Sequence, residues 1–111
     1  MKDFTEQSIP ANYFRWIEAV GGKIYFHEDR LVFKSHAFNI QRGETEIKYK
    51  DITEAKIRMT MFIIPNGMEI ITKDGFSHKF VLYGRDKVIE FLNSKIGNYK
   101  NEQIWSFEKN S

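Results

Sequence analysis

The chain of 111 residues contains no cysteine. That excludes a disulfide framework, a thiolate nucleophile and any cysteine-ligated zinc or iron–sulfur centre. It has only two prolines, and no internal repeat or low-complexity run. No apolar run approaches the ~20 residues that a membrane-spanning helix needs. The N-terminal MKDFTEQSIP lacks the apolar stretch and small-residue cleavage site of a secretory signal. Charge of one sign is also missing as a block: 17 Lys and Arg are interleaved with 15 Asp and Glu for a net charge of +2. A nucleic-acid binder gathers its cations into a stripe, so no nucleic-acid partner is expected. These absences together suggest a cytoplasmic protein.

What is present is bulky core material, with ten Phe, five Tyr and two Trp in a chain sized for one domain. Residues 1–11 read as a polar lead-in ending at Pro10. Beyond it, turn signals recur every eight to twelve residues, the spacing of an all-β sandwich or barrel. Strands are expected over Asn12–Glu18, Lys23–His27, Arg30–His36, Glu44–Tyr49, Glu54–Met59, Met68–Lys73 and Phe76–Tyr83. Gly21-Gly22, Glu28-Asp29, Gln41-Arg42-Gly43 and Pro65-Asn66-Gly67 are read as turns, and Asp74-Gly75 as a tight type I′ turn. In Glu44–Tyr49, Thr45, Ile47 and Tyr49 alternate with Glu44, Glu46 and Lys48; Ala55, Ile57 and Met59 alternate likewise with Glu54, Lys56 and Arg58. A period of two marks strands with one buried face.

The period then changes. Val88, Ile89, Phe91, Leu92 and Ile96 recur at helical spacing between Gly84 and Gly97, and Asp86 favours the start of a helix. The expected architecture is mostly β: a seven-stranded antiparallel barrel or sandwich whose open end is stoppered by a helix over 85–96. Residues 98–111 form a tail.

The order and punctuation of these segments resemble the GRAM domain family, whose fold is like that of pleckstrin-homology domains. The matching segments are Gly21–Tyr25, Arg30–His36, Phe38-Asn39, Ile64–Gly67 and Gly84–Asp86, within residues 12–97. The resemblance implies a PH-like fold and binding rather than catalysis, with membrane association through lipids or protein partners. Phosphoinositide grip in such domains uses several cations around the first inter-strand loop. Read as Ala19–Lys23, that loop holds one cation, Lys23.

For sites, the apolar run 59–65 stands out. Met61, Phe62, Ile63 and Ile64 are candidates for a partner or membrane contact, against the alternative that they fold back over the barrel. Trp105 and Phe107 are candidate tail contacts, on the parent domain or on a second copy. His27, His36 and His78 lack the spacing of a metal-ligand set. Lys48, Lys50, Lys56 and Arg58 form a basic face only if their strands are neighbours, and Glu44, Glu46 and Glu54 dilute it. No nucleophile elbow, phosphate loop or HExxH motif occurs. The expectation is a non-catalytic binding or scaffold module with no cofactor and no metal. It is expected to engage a protein partner or a second copy; the alternative is a lipid or membrane-surface module at the membrane periphery.

Overall fold

A computed structural model describes residues 1–36, 44–59 and 63–110, with side chains described except at residues 59, 63–65 and 103–110. Seven strands precede one helix: β1 (Ser8–Arg15), β2 (Glu18–Phe26), β3 (Arg30–Ser35), β4 (Glu44–Lys48), β5 (Ile52–Met59), β6 (Ile63–Thr72), β7 (Ser77–Val81) and α1 (Arg85–Asn110). A 3-10 turn, Tyr49–Asp51, joins β4 to β5. All strand pairs are antiparallel, in the order β4-β3-β2-β1-β7-β6-β5. The expected mostly-β fold with a C-terminal helix is what forms, but the sheet does not close into a barrel. β4 pairs with β3 and β5 with β6, and among the described residues neither edge pairs with the other.

One face of the rolled sheet carries Ala11, Tyr13, Ile24, Phe26, Leu31, Phe33, Ile47, Met68, Ile70 and Phe80, all buried. They join Val88, Phe91, Leu92 and Ile96 of α1 in one core. The helical spacing is therefore borne out, with Ile89 partly buried at the border. Phe91 is the joint between sheet and helix, its ring 5.6–6.1 Å from those of Phe4, Phe26 and Tyr49. Tyr49 is fully buried, and its hydroxyl donates to the His27 carbonyl at 2.9 Å. Where the sheet fails to close, the 3-10 turn and α1 cover the core instead. Burying a side chain such as Phe91 is worth about 1.5–3 kcal/mol.

Several boundaries differ from those read in the sequence. Gly21-Gly22 is not a turn but the middle of β2. Gly22 sits where an added Cβ would lie 2.1 Å from the Lys34 carbonyl oxygen and 2.8 Å from the Phe33 ring, so only glycine lets β3 and that ring come so close. The first hairpin turns instead at Trp16-Ile17, between the paired Arg15 and Glu18. β1 begins at Ser8, and upstream of it Phe4 enters the core, its ring 5.3 Å from Phe26.

Pro65-Asn66-Gly67 lies inside β6 rather than ending a strand. Ile57 pairs with Met68 and Met59 with Ile63, so Arg58 alone stands opposite residues 64–67. This is a large bulge, with Asn66 at φ +60. Ile57 keeps the inward register, opposite the buried Met68, but on the edge strand beside the bulge it is 37% exposed. At Asp74-Gly75 only Gly75 has positive φ, and the Gly75 N–H donates to the Thr72 carbonyl while Thr72 N–H donates to that of Phe76. That is a three-residue loop ending on a left-handed glycine, not type I′. Asp74 stabilises it by accepting from the Thr72 hydroxyl and the Phe76 amide.

Gly97 does not stop the helix, which runs on to Asn110. An interior glycine costs about 0.5–1 kcal/mol, and Tyr99, packed against the core two residues on, offsets it.

Candidate functional site

Two features stand apart from the core. The first is the β1–β2 tip. With Arg15 opposite Glu18, the loop is two residues long. Trp16 has φ +60 while Ile17 does not, the pattern of a type II′ turn, whose first position favours glycine. A left-handed conformation costs a non-glycine residue about 1–2 kcal/mol. Trp16 bears that cost while 94% exposed, and Ile17 beside it is 87% exposed. Among the described residues, no packing against the parent domain accounts for either side chain. Behind the tip, the Arg58 guanidinium lies over the Phe14 ring at 4.7 Å, with Nε and Nη1 buried and without acceptors among the described residues.

The second is a cleft of about 520 Å³ where the sheet fails to close. One wall is β4, through Glu46, Ile47 and Lys48; the other is the β6–β7 hairpin, through Thr72, Lys73, Asp74 and His78, with Asp51 from the 3-10 turn between them. His78 Nδ1 and the Tyr13 hydroxyl share a hydrogen bond at 2.8 Å. Burial lowers the His78 pKa below its usual value, only partly opposed by Asp74, and burial raises that of Tyr13. Both groups are thus held neutral at neutral pH. The Asp74 carboxyl is held below the usual range by the Thr72 hydroxyl and then the Phe76 amide. Glu46 lies 3.6 Å from Arg30. Among the described residues no ion pair engages Lys48, Lys73 or Asp51.

A smaller groove of about 330 Å³ on the outer face runs over Gly21, between Asn12, His36, Asn66 and the exposed Tyr83.

The candidates read from the sequence fall elsewhere. Met61 and Phe62 lie outside the described residues. Ile63 and Ile64 belong to the start of β6, and Trp105 and Phe107 to the last turns of α1, with side chains outside the described set. His36 borders the outer groove and His78 the cleft, while His27 follows the end of β2. Among the described residues no three metal-ligating side chains come together. Lys48 and Lys56 are on opposite edges of the sheet, so the basic face does not assemble, and Lys56 faces Glu54 at 3.9 Å. The tip escaped sequence reading because Trp16 was placed inside a strand by the Gly-Gly pair. The Arg-Trp-Ile-Glu run carries no turn residue to mark it.

No helix among the described residues is long and apolar enough to cross a membrane. No family model matches the chain, and no curated protein matches it. Among solved structures it is similar to the crystal structure of the C-terminal domain of an unknown protein from Leishmania infantum, at 16% identity over 81% of each chain with a TM-score of 0.68. At that identity the likeness is one of fold: a mostly-β sheet closed off by a C-terminal helix.

Proposed function

We propose that this domain is a non-catalytic interaction module that engages a protein surface, a second copy included, through its β1–β2 tip. The observation that carries the reading is Trp16. A bulky residue in a backbone conformation suited to glycine, and exposed to water, is retained at a cost in stability. Tryptophan and arginine dominate binding hot spots, and Arg15 adjoins the tip. The resemblance of residues 12–97 to the GRAM family, with its PH-like fold, points toward binding too. Two polar pairs at the cleft, Tyr13 with His78 and Thr72 with Asp74, are engaged in hydrogen bonds that shape the fold, which suits a scaffold.

A second reading is a membrane-surface module. An exposed Trp beside Arg15 is also the composition of an interfacial anchor. Sedimentation over a concentration series and flotation with vesicles containing phosphatidylserine separate the two, each with the parent protein and a Trp16→Ser/Ile17→Ser variant. A mass that rises with concentration in the parent alone, without flotation, supports the protein-contact reading. Flotation lost in the variant supports the membrane reading instead. A parent and variant that behave alike in both assays reject the tip.

A further inference from the structure

The seam between β1 and β7 is short, and one end of it is open. Its pairs are Tyr13 with Phe80 and Asn12 with Val81. Continuing the register past Asn12 sets Pro10 opposite Tyr83, and proline has no N–H to give to the ladder. Leu82 meanwhile stays with β6, its N–H donating to the Asn66 carbonyl at 3.0 Å. The outer groove of about 330 Å³ lies where β1 and β7 part, with Pro10 on one bank and Tyr83 on the other. Gly21 keeps it deep. A Cβ added there would enter the groove and meet only the end of the Asn12 side chain and the His36 ring.

The lining selects against charge. Among the described residues no Asp, Glu, Lys or Arg borders the groove, and His36 is its only basic side chain, although 29% of the chain is charged. A charged occupant would lose water there without gaining a partner. The polar groups on offer are the side-chain amides of Asn12 and Asn66, which make no hydrogen bond among the described residues. Tyr83, 88% exposed, supplies a ring at the rim. These suit a neutral aromatic group that stacks on Tyr83 and gives one N–H to an amide carbonyl. A cavity of about 150 Å³ holds a benzene ring, so a groove of about 330 Å³ has room for the two fused rings of an indole. Among the described side chains the one exposed indole is Trp16. It cannot fill its own groove. Trp16 stands four residues along β1 from Asn12, roughly 13 Å, and a two-residue loop ties it to β2.

We propose that the outer groove receives the tip of a second copy, with Trp16 of one molecule entering between Gly21 and Tyr83 of another and its indole N–H donating to the amide of Asn12 or Asn66. The inference rests on the tip being a contact and names what it contacts. One tryptophan buries about 150–250 Å², well below the ~1,200 Å² at which stable interfaces begin. The contact is therefore weak, and association belongs at protein concentrations on the order of 0.1–1 mM.

The test uses the full chain and two variants. Trp16→Ser/Ile17→Ser removes the tip and leaves the groove; Gly21→Val fills the groove and leaves the tip. Sedimentation equilibrium over that concentration range is expected to show the parent associating and each variant alone remaining a monomer. An equimolar mixture of the two variants is expected to associate again, because one supplies the groove and the other the tip. With the tip variant isotope-labelled and the Gly21→Val variant unlabelled, amide shifts in NMR are expected at Asn12, Gly21, Asn66 and Tyr83. If Gly21→Val does not fold, Tyr83→Ser, which alters an exposed side chain, takes its place and is expected to weaken self-association about three- to tenfold. A parent that stays monomeric overturns the inference and leaves the tip to a different protein. Association that the tip variant loses but the groove variants keep overturns it too, as do shifts confined to other residues; the tip then keeps its role and the groove does not.

Discussion

Replacing Gly22 with alanine tests the packing of β2 on β3 at one atom. The new Cβ would lie 2.1 Å from the Lys34 carbonyl oxygen, 2.9 Å from its carbon and 2.8 Å from the Phe33 ring. Two of these are backbone atoms of the paired strand and have no rotamer to escape into. The strands must part locally, at the register pairs Gly22 with Ser35 and Lys23 with Lys34. Overpacking a core costs about 1–3 kcal/mol, occasionally more. A clash with backbone belongs at the top of that range, about 3 kcal/mol. At about 4 °C per kcal/mol for a domain of this size, the melting midpoint should fall by about 12 °C. Gly21 is the internal control. Its added Cβ would meet only the end of the Asn12 side chain at 3.3 Å and His36 at 3.9 Å. Gly21→Ala should stay within ~1 kcal/mol of the parent and tend toward stabilisation, since alanine loses less freedom in a strand. Urea and thermal melts of both variants, followed by circular dichroism, measure the difference. Midpoints within 2–3 °C of each other, roughly 1 kcal/mol or less by the same conversion, would refute the close approach of β2 and β3.

Other consequences are equally direct. Phe91→Ala should lose about 3–5 kcal/mol by urea denaturation, because it empties the space between Phe4, Phe26 and Tyr49. Trp16→Gly should raise stability by about 1 kcal/mol in the same assay, since it relieves a positive φ and removes no buried contact. His78 is held neutral in the fold with its pKa lowered, so the unfolded chain takes up a proton first as pH falls. Stability present above the unfolded-chain value near 6.5 should therefore decline as pH drops below it, and His78→Gln should flatten that decline in melts between pH 7.5 and 5. Tyr13→Phe removes the hydroxyl partner of His78 and should change the titration of its ring, followed by NMR, with little loss of core packing.

The elements carrying a strong period were legible in the sequence. Ile47 and Tyr49 were identified as inward-facing, and the change of rhythm at Gly84 located the start of α1 to within a residue. Glycine misled where its role was tertiary. Gly22 is required by a neighbouring strand and Gly97 is tolerated inside a helix, and neither fact leaves a local trace. Conversely, the turn at Trp16-Ile17 is built from residues that favour strands, so the register of β1 and β2 overrode their preference. The cleft was invisible because it depends on which strands fail to meet. Glu46, Lys48 and Lys73 are ordinary surface residues until the fold places β4 across from the β6–β7 hairpin.

The strand order has a consequence for how the chain assembles. β1 to β4 form one meander and β5 to β7 another, each joined through neighbouring segments. Among the described residues their strands pair only along β1 and β7, where Asn12 faces Val81 and Tyr13 faces Phe80. Closing that seam draws together positions nearly 70 residues apart, so it should form late and set the folding rate, after two local halves have already taken shape. A chain severed between Lys50 and Ile52 should therefore yield two fragments that recombine across the seam, with Phe91 of the second seated against Phe4 and Phe26 of the first.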